Sequence, residues 1–317
     1  MAKQALFKDG LITVIGAVNM DIGGTAYEPL VMGDSNPGRV TLTLGGVGRN
    51  MADHLSRMGA PVRFVTVMGE DAYGFQAQRS CLELHMDLSL SQIMPGEATS
   101  TYLYINGPDG DVRLAVSDMD ICRHISPSFL LERMEEINRS KMVVLDANLS
   151  GEAIACLVEN CTAPLFADPV SVKKAARLKA HLRNIYCIKP NRKEAEVLSG
   201  IAIRSNEDLP KAAKALHGKG VKLVFISLGG EGVYYDNGLD RGILPCYPGR
   251  IENTTGCGDA FMAAASYGYF LGRPPKGMAL MGLAAAALCA EIRGAIREDM
   301  SFQLLENKMR EFGGESI

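Results

Sequence analysis

Met142-Val143-Val144-Leu145-Asp146, then Gly151-Glu152-Ala153-Ile154-Ala155-Cys156-Leu157-Val158-Glu159-Asn160, then Leu165-Phe166-Ala167-Asp168, is the stretch that decides the fold. The two outer pieces are short and apolar on both faces, as strands buried within a parallel sheet must be. The middle piece has the length and period of a helix, enough to carry the chain back across the sheet. The same alternation continues outward. Segments 11–18, 62–68, 186–189 and 223–228 read as further core strands, with helices at 51–58, 74–84, 172–182, 193–199 and 209–219. Two consecutive helices, 259–271 and 276–292, follow near the end. The pattern predicts an α/β protein with a mostly parallel central sheet, whose ligands gather at the C-terminal ends of its strands.

Two stretches break the alternation. Segments 99–106 and 111–117 flank Gly107-Pro108-Asp109-Gly110, and Thr99-Ser100-Thr101-Tyr102-Leu103-Tyr104-Ile105 alternates polar and apolar residues like a half-exposed antiparallel strand. With 25–31 and 39–44 they predict a small separate β sheet, a lid formed by about residues 22–44 and 98–117. An ordinary edge extension of the main sheet has the same periodicity. No internal repeat or Pro- or Ser-rich linker appears, so residues 1–317 read as a single domain with a lid.

Composition narrows the function classes. A chain of 317 residues, 47% hydrophobic and 22% charged, can bury one large core or two smaller ones. Its net charge of −3 is dispersed along the sequence, which argues against a nucleic-acid partner. The longest apolar run, Ala284-Ala285-Ala286-Ala287-Leu288-Cys289-Ala290, is too short to span a membrane, and Met1-Ala2-Lys3-Gln4-Ala5 lacks a signal-type segment. A cytoplasmic location is expected. Eight Cys without a C-x-x-C pair and five scattered His read as buried reduced thiols, with no structural zinc site.

Chemistry concentrates in Asn253-Thr254-Thr255-Gly256-Cys257-Gly258-Asp259-Ala260-Phe261. Gly256 and Gly258 let backbone N–H groups turn toward an anion at the positive end of the helix beginning there, making Gly256, Cys257 and Gly258 a candidate anion hole. Asp259 is then placed to take a proton from an attacking hydroxyl. A plain loop-to-helix turn uses the same residue types. In Gly16-Ala17-Val18-Asn19-Met20-Asp21, Asn19 and Asp21 share one side of an extended chain and could grip a polyol, although both types also favour strand-end turns.

Gly45-Gly46-Val47-Gly48-Arg49-Asn50 opens a helix: its glycines admit a ligand close to the backbone at Gly46, and Asn50 caps or contacts it. This is not the dinucleotide fingerprint, because the third glycine is missing and Val67-Met68-Gly69 stands where an acid is required. A Walker A loop is absent too, since the one Gly-Lys pair, Gly218-Lys219, is followed by Gly220. In Lys189-Pro190-Asn191-Arg192-Lys193-Glu194, Asn191 and Glu194 fit a capping box, and Glu194 also suits a hydrated magnesium ion. Ser227-Leu228-Gly229-Gly230-Glu231-Gly232 ends a strand in a flexible turn able to hold a triphosphate or ribose.

Taken in succession, Gly16-x-x-Asn19-x-Asp21, Gly45-Gly46-x-Gly48-x-Asn50, Asn191-x-x-Glu194, Ser227-Leu228-Gly229-x-x-Gly232 and Thr255-Gly256-x-Gly258-Asp259 resemble the signatures of the ribokinase-like, or PfkB, carbohydrate kinases, over residues 11 to about 295. That resemblance implies a three-layer α/β/α fold with a β lid, ATP as phosphoryl donor, magnesium, and transfer to a primary hydroxyl of a sugar or nucleoside. It casts Asp259 as the base, Gly256, Cys257 and Gly258 as the anion hole, and Asn19, Asp21, Gly46 and Asn50 as the acceptor site. Asn191, Glu194, Ser227, Gly229, Gly232 and Thr255 fall on the nucleotide side, with Glu194 holding magnesium through water.

Asp168-Pro169-Val170-Ser171-Val172-Lys173-Lys174-Ala175, Ile188 through Glu196 and Ser117-Asp118-Met119 are most similar to the branch acting on pseudouridine, so a nucleoside 5′-hydroxyl is the expected acceptor. Ribokinase, other nucleoside or sugar kinases and a non-catalytic nucleoside sensor are the alternatives. Arg39, Arg49 and Arg113 are the cations a phosphorylated acceptor would use. Tyr102, Tyr104 and Leu114 are candidates for touching the base, and the exposed lid sheet for a homodimer surface. Two positions depart from the family pattern: Asn253 replaces the usual Asp, and Cys257 the usual Ala. The first removes a charge where relatives often hold potassium, which counts against activation by that ion.

Overall fold

The computed structural model describes residues 10–311, so the reading of residues 1–5 lies outside them. Fourteen strands are present among those residues: β1 (Ile12–Ile15), β2 (Asn19–Ala26), β3 (Gly38–Gly45), β4 (Val62–Val65), β5 (Val67–Gly69), β6 (Gln92–Met94), β7 (Thr101–Asn106), β8 (Val112–Asp118), β9 (Met142–Asp146), β10 (Leu165–Asp168), β11 (Ile185–Ile188), β12 (Leu223–Ser227), β13 (Val233–Asp236) and β14 (Arg241–Leu244). Eight of them form the main sheet, in the order β14-β13-β12-β11-β10-β9-β1-β4. Pairings from β4 across to β12 are parallel, and β13 and β14 complete one edge antiparallel.

Alternation along the buried strands divides the core in two. Phe64, Val144, Phe166 and Phe225 face one cluster, packed on helices Val47–Arg57, Cys257–Phe270 and Pro275–Ala290, while Val65, Leu145, Ala167 and Ile226 face another, packed on Gly151–Asn160 and Leu209–Gly218. The result is a three-layer α/β/α fold with a mostly parallel central sheet. The central strands β9, β10 and β12 are near-continuous apolar runs because both of their faces are covered.

Two expected strands end early. The first stops at Ile15, where the chain turns out of the sheet to begin β2 at Asn19. The segment expected at 62–68 splits: Ser91 Oγ accepts from Thr66 N at 3.1 Å and donates to Phe64 O at 2.7 Å, and beyond that point β5 pairs with β6.

A second sheet has the order β3-β2-β7-β8. Its register puts Asp21 beside Thr43 and Tyr102, and Gly23 beside Tyr104, on one face. Ile22, Leu42, Leu103 and Val116 share the other, together with Val40, Ile105 and Leu114. Leu42, Leu103, Val116, Val40 and Leu114 are all exposed there.

Strand β1 lies between β4 and β9, so successive crossovers leave it in opposite directions. A crevice opens at such a switch point, above the C-terminal ends of β1 and β9.

Candidate active site

Asp146 ends β9 at this switch point and is fully buried. Its Oδ2 accepts from Ala17 N at 3.0 Å and Gly48 N at 2.7 Å, and its Oδ1 from Asn148 N at 2.7 Å. One carboxylate thereby stitches the end of β1 to the start of helix Val47–Arg57. A Cβ on Gly48 would lie 2.7 Å from Gly16 Cα and 2.9 Å from Asp146 Oδ2. Here the glycine spacing lets two chain segments touch, the start of the helix against the residue that follows β1. Gly46 stands at the N-cap of the helix, whose end receives no side-chain cap.

Asn50, in the first turn, is 5% exposed. It does not cap the helix; its Nδ2 donates to Asp259 Oδ2 at 2.8 Å, joining residues far apart in sequence. Asn50 Oδ1 is buried with no hydrogen-bond partner. A buried acceptor left in that state costs free energy until something donates to it.

Asp259 lies in the first turn of helix Cys257–Phe270, where the N-cap Gly256 has φ +81°. Only glycine fits there, because a Cβ would lie 2.3 Å from Ala295 O. Burial pushes the Asp259 carboxyl up to about 7, reinforced by the Asp168 charge and opposed by the Asn50 amide and Lys189. That value suits a base working near neutral pH.

Lys189, just beyond β11, is the residue whose role the sequence did not disclose. It is buried, with Nζ 3.1 Å from Asp168 Oδ2, and a Cβ on Gly258 would lie 3.3 Å from the same nitrogen. Burial alone would lower its pKa, but the charges of Asp168, Glu194 and Asp259 more than reverse that. Asp146, Asp168 and Lys189 carry one legible signal: each lies at or just past the C-terminal end of a parallel strand.

At the start of β2, Asn19 Nδ2 donates to Asp21 Oδ1 at 2.5 Å. Burial raises the Asp21 carboxyl to about 6 against the opposing pull of Asn19 and Arg49. The rings of Tyr102 and Tyr104, 5.6 Å apart, lie on the same lid face as Asp21. Leu114 does not. It pairs with Ile105, one residue out of phase with Tyr104, so the pleat turns it to the outer face.

At the start of helix Arg192–Ser199, Asn191 Oδ1 accepts from Glu194 N and Glu194 Oε2 from Asn191 N, both at 2.9 Å, a complete capping box. Burial and then Asp168 raise the Glu194 carboxyl, while the Asn191 N–H and Lys189 hold it down. Ser227 N donates to Pro190 O at 2.9 Å, which sets the Gly229–Glu231 turn and Gly232 beside that cap. Thr255 is exposed, and its N donates to Asn253 Oδ1 at 3.0 Å. Among the described residues no hydrogen bond joins this group to Asn19 or Asp21; Asp259 and Lys189 lie between the two groups.

Residues 9–301 match the model of the pfkB family carbohydrate kinases. The chain is 38% identical over 267 residues to the pseudouridine kinase of Escherichia coli (strain K12), covering 83% of this chain and 85% of that protein. It is 30% identical over 285 residues to the cytidine kinase of Thermococcus kodakarensis, covering 83% and 92%. The Arabidopsis thaliana ribokinase complexed with ribose and ATP superposes with a TM-score of 0.84 at 21% identity, over 95% of this chain and 99% of that one. The fold is therefore that of the ribokinases, and the protein is an ATP-dependent sugar or nucleoside kinase. Within that class, the chain belongs to the pfkB family of carbohydrate kinases.

Proposed function

We propose that the protein transfers the γ-phosphoryl group of ATP to the 5′-hydroxyl of a ribose-containing nucleoside, pseudouridine before others. The observation that carries this reading is the Asn50–Asp259 pair: a carboxylate raised to about 7, held by one amide whose own oxygen lacks a donor. A ribose hydroxyl satisfies Asn50 Oδ1, and Asn19, Asp21 and the backbone at Gly46 bind the remaining hydroxyls. Asp259 accepts the 5′-hydroxyl proton as that oxygen bonds to phosphorus. Main-chain N–H groups of Gly256, Cys257 and Gly258, at the positive end of a 14-residue helix, stabilise the charge on the transferred group. Lys189 adds a buried cation beside them.

Asn191, Ser227, Gly229, Gly232 and Thr255 line the nucleotide side of this scheme. Magnesium supplies charge neutralisation on the phosphates when bound. Glu194, whose Oε2 bonds Asn191 N, would hold a hydrated ion through water. Similarity to the E. coli pseudouridine kinase supports the choice of base, whose extra ring N–H offers discrimination from uridine. The test is ADP release from ATP and magnesium with ribose, fructose 6-phosphate, adenosine, inosine, cytidine, uridine and pseudouridine. Pseudouridine should give the highest kcat/KM. A higher value for cytidine or ribose overturns the acceptor, and absence of turnover with all seven overturns catalysis in favour of a nucleoside sensor.

The loop preceding the anion hole counts against activation by a monovalent cation. Asn253 Nδ2 donates to Arg293 O at 3.0 Å while its Oδ1 accepts from Thr255 N, so the amide already joins the two segments that a cation would bridge. Turnover should be the same in potassium and tetramethylammonium salts. Asn253→Asp, which cannot donate to Arg293 O, should become several-fold more active in potassium, and an N253D protein indifferent to the cation removes this reading.

The exposed outer face of the lid supports a homodimer, with Leu42, Leu103 and Val116 of two copies apposed. Sedimentation at micromolar concentration should show a dimer, and Leu103→Asp a monomer; a monomeric parent removes the proposal. Eight free thiols and the need for ATP support a cytosolic location. Among the described residues no helix is long and apolar enough to cross a membrane.

A further inference from the structure

Three thiols gather around the entrance of helix Cys257–Phe270. Cys257 is its first residue and half-buried, with Sγ 3.9 Å from Asn253 O. Cys289, near the end of helix Pro275–Ala290, is buried; its Sγ lies 3.8 Å from Thr255 O and 3.3 Å from Ala295 O. Ala295 O is also the atom that packs against Gly256. Cys257 and Cys289 thus stand against the same short loop, one beside Asn253 O and the other beside Thr255 O. Cys246 is exposed, with Sγ 3.3 Å from Gly229 O on the nucleotide side.

The two thiols also differ in setting. Cys257 is half-buried and opens a helix, whose positive end favours a thiolate, whereas Cys289 is buried. An accessible sulfur at a helix start next to a buried one has the makings of an attacking and a resolving pair.

We propose that Cys257 and Cys289 are a modification site at which a peroxide installs a reversible disulfide that stops phosphoryl transfer. The Cys257 sulfur attacks the peroxide, the O–O bond breaks, and the sulfur keeps one oxygen as a sulfenic acid while the other leaves as water. The Cys289 sulfur then attacks the Cys257 sulfur. An S–S bond forms, the S–O bond breaks, and the hydroxyl departs with the Cys289 proton as a second water. Two thiols have lost two electrons to one peroxide.

An S–S bond is about 2.05 Å long, far shorter than the separation of two unbonded thiols. Its formation draws the first residue of the helix toward Ala290 and Glu291, and the N–H groups of Gly256, Cys257 and Gly258 turn with it. Donors aimed at a developing charge lose their effect when displaced. The bond itself is independent of the proposed kinase site; its effect on turnover rests on that reading.

The test oxidises the purified protein with hydrogen peroxide, blocks remaining thiols, maps peptides by mass spectrometry, and assays the same samples with the best acceptor of the panel. A Cys257–Cys289 linked peptide is expected, with about a hundredfold loss of activity that dithiothreitol restores. Cys289→Ser should keep its reduced-state activity but, lacking the resolving thiol, form no link and lose activity beyond recovery by dithiothreitol as Cys257 oxidises further. A map without this link, a Cys246–Cys257 link in its place, or a C289S protein that recovers like the parent overturns the proposal. Should C289S fail to fold, Cys289→Ala replaces it. The parent's peptide map decides the bond even if no acceptor is turned over.

Discussion

Asp259→Asn should lower kcat by about three or more orders of magnitude, because both the proton acceptor and its alignment with Asn50 are lost. The fold should survive, and the reason lies in the sign of the pKa shift. With the Asp259 carboxyl raised to about 7, the folded chain holds that proton more tightly than the unfolded one. The group therefore contributes stability below the ordinary carboxylate value of about 4, and that contribution fades as pH rises through 7. Asparagine has no charge to bury. Calorimetry at pH 8 should put the melting temperature of D259N at or above that of the parent. Parent kcat/KM should climb with pH and level off past an apparent pKa near 7, since the base must be unprotonated. Near-normal turnover in D259N would remove Asp259 from the chemistry.

Lys189→Met should damage both stability and rate. It leaves Asp168 buried without its cation and Glu194 and Asp259 closer to mutual repulsion. Removing one member of a buried pair costs about 3–5 kcal/mol, measurable by urea denaturation. The pKa of Lys189 is raised, so its contribution is complete below the ordinary lysine value of about 10.4 and is lost only above it. The deficit of K189M should nevertheless be smaller at pH 6 than at pH 9, because the carboxylates left without their cation take up protons as pH falls. Lys189 also helps hold the Asp259 carboxyl down, so the acid limb of the kcat/KM profile should move upward from about 7 in the variant. An unmoved limb would mean that Lys189 does not sense the proposed base.

How far the sequence could be read depended on the range of each interaction. Helix Gly151–Asn160 was legible to the residue because its start is fixed locally: Ser150 accepts from Ala153 N at 3.1 Å. Strands β9 and β10 were legible because burial on both faces leaves a continuous apolar run. The departure of β5 was not, since it turns on Ser91 meeting Thr66 across 25 positions. Nor were β13 and β14, an antiparallel edge appended to a parallel sheet.

In the candidate site, Asn50 and Asp259 each announced themselves by local pattern, but their hydrogen bond spans 209 positions. Lys189 stood beside a recognisable cap, and its partners arrive from the end of β10 and the first turns of two helices. Leu114 was misjudged because period two defines two faces without naming which looks inward; that needed the register with β7.

The buried carboxylate of Asp146 has a mechanical side. Two legs of the lid leave the main body next to it, β2 starting shortly after Ala17 and β3 ending shortly before Gly48, the two residues it holds. In the proposed reading a swing of the lid would pivot at that pin. Asn19 and Asp21 would ride on the moving arm and Asn50 and Asp259 on the fixed one, the space between them opening and shutting like the jaws of a caliper at an angle set by the sugar.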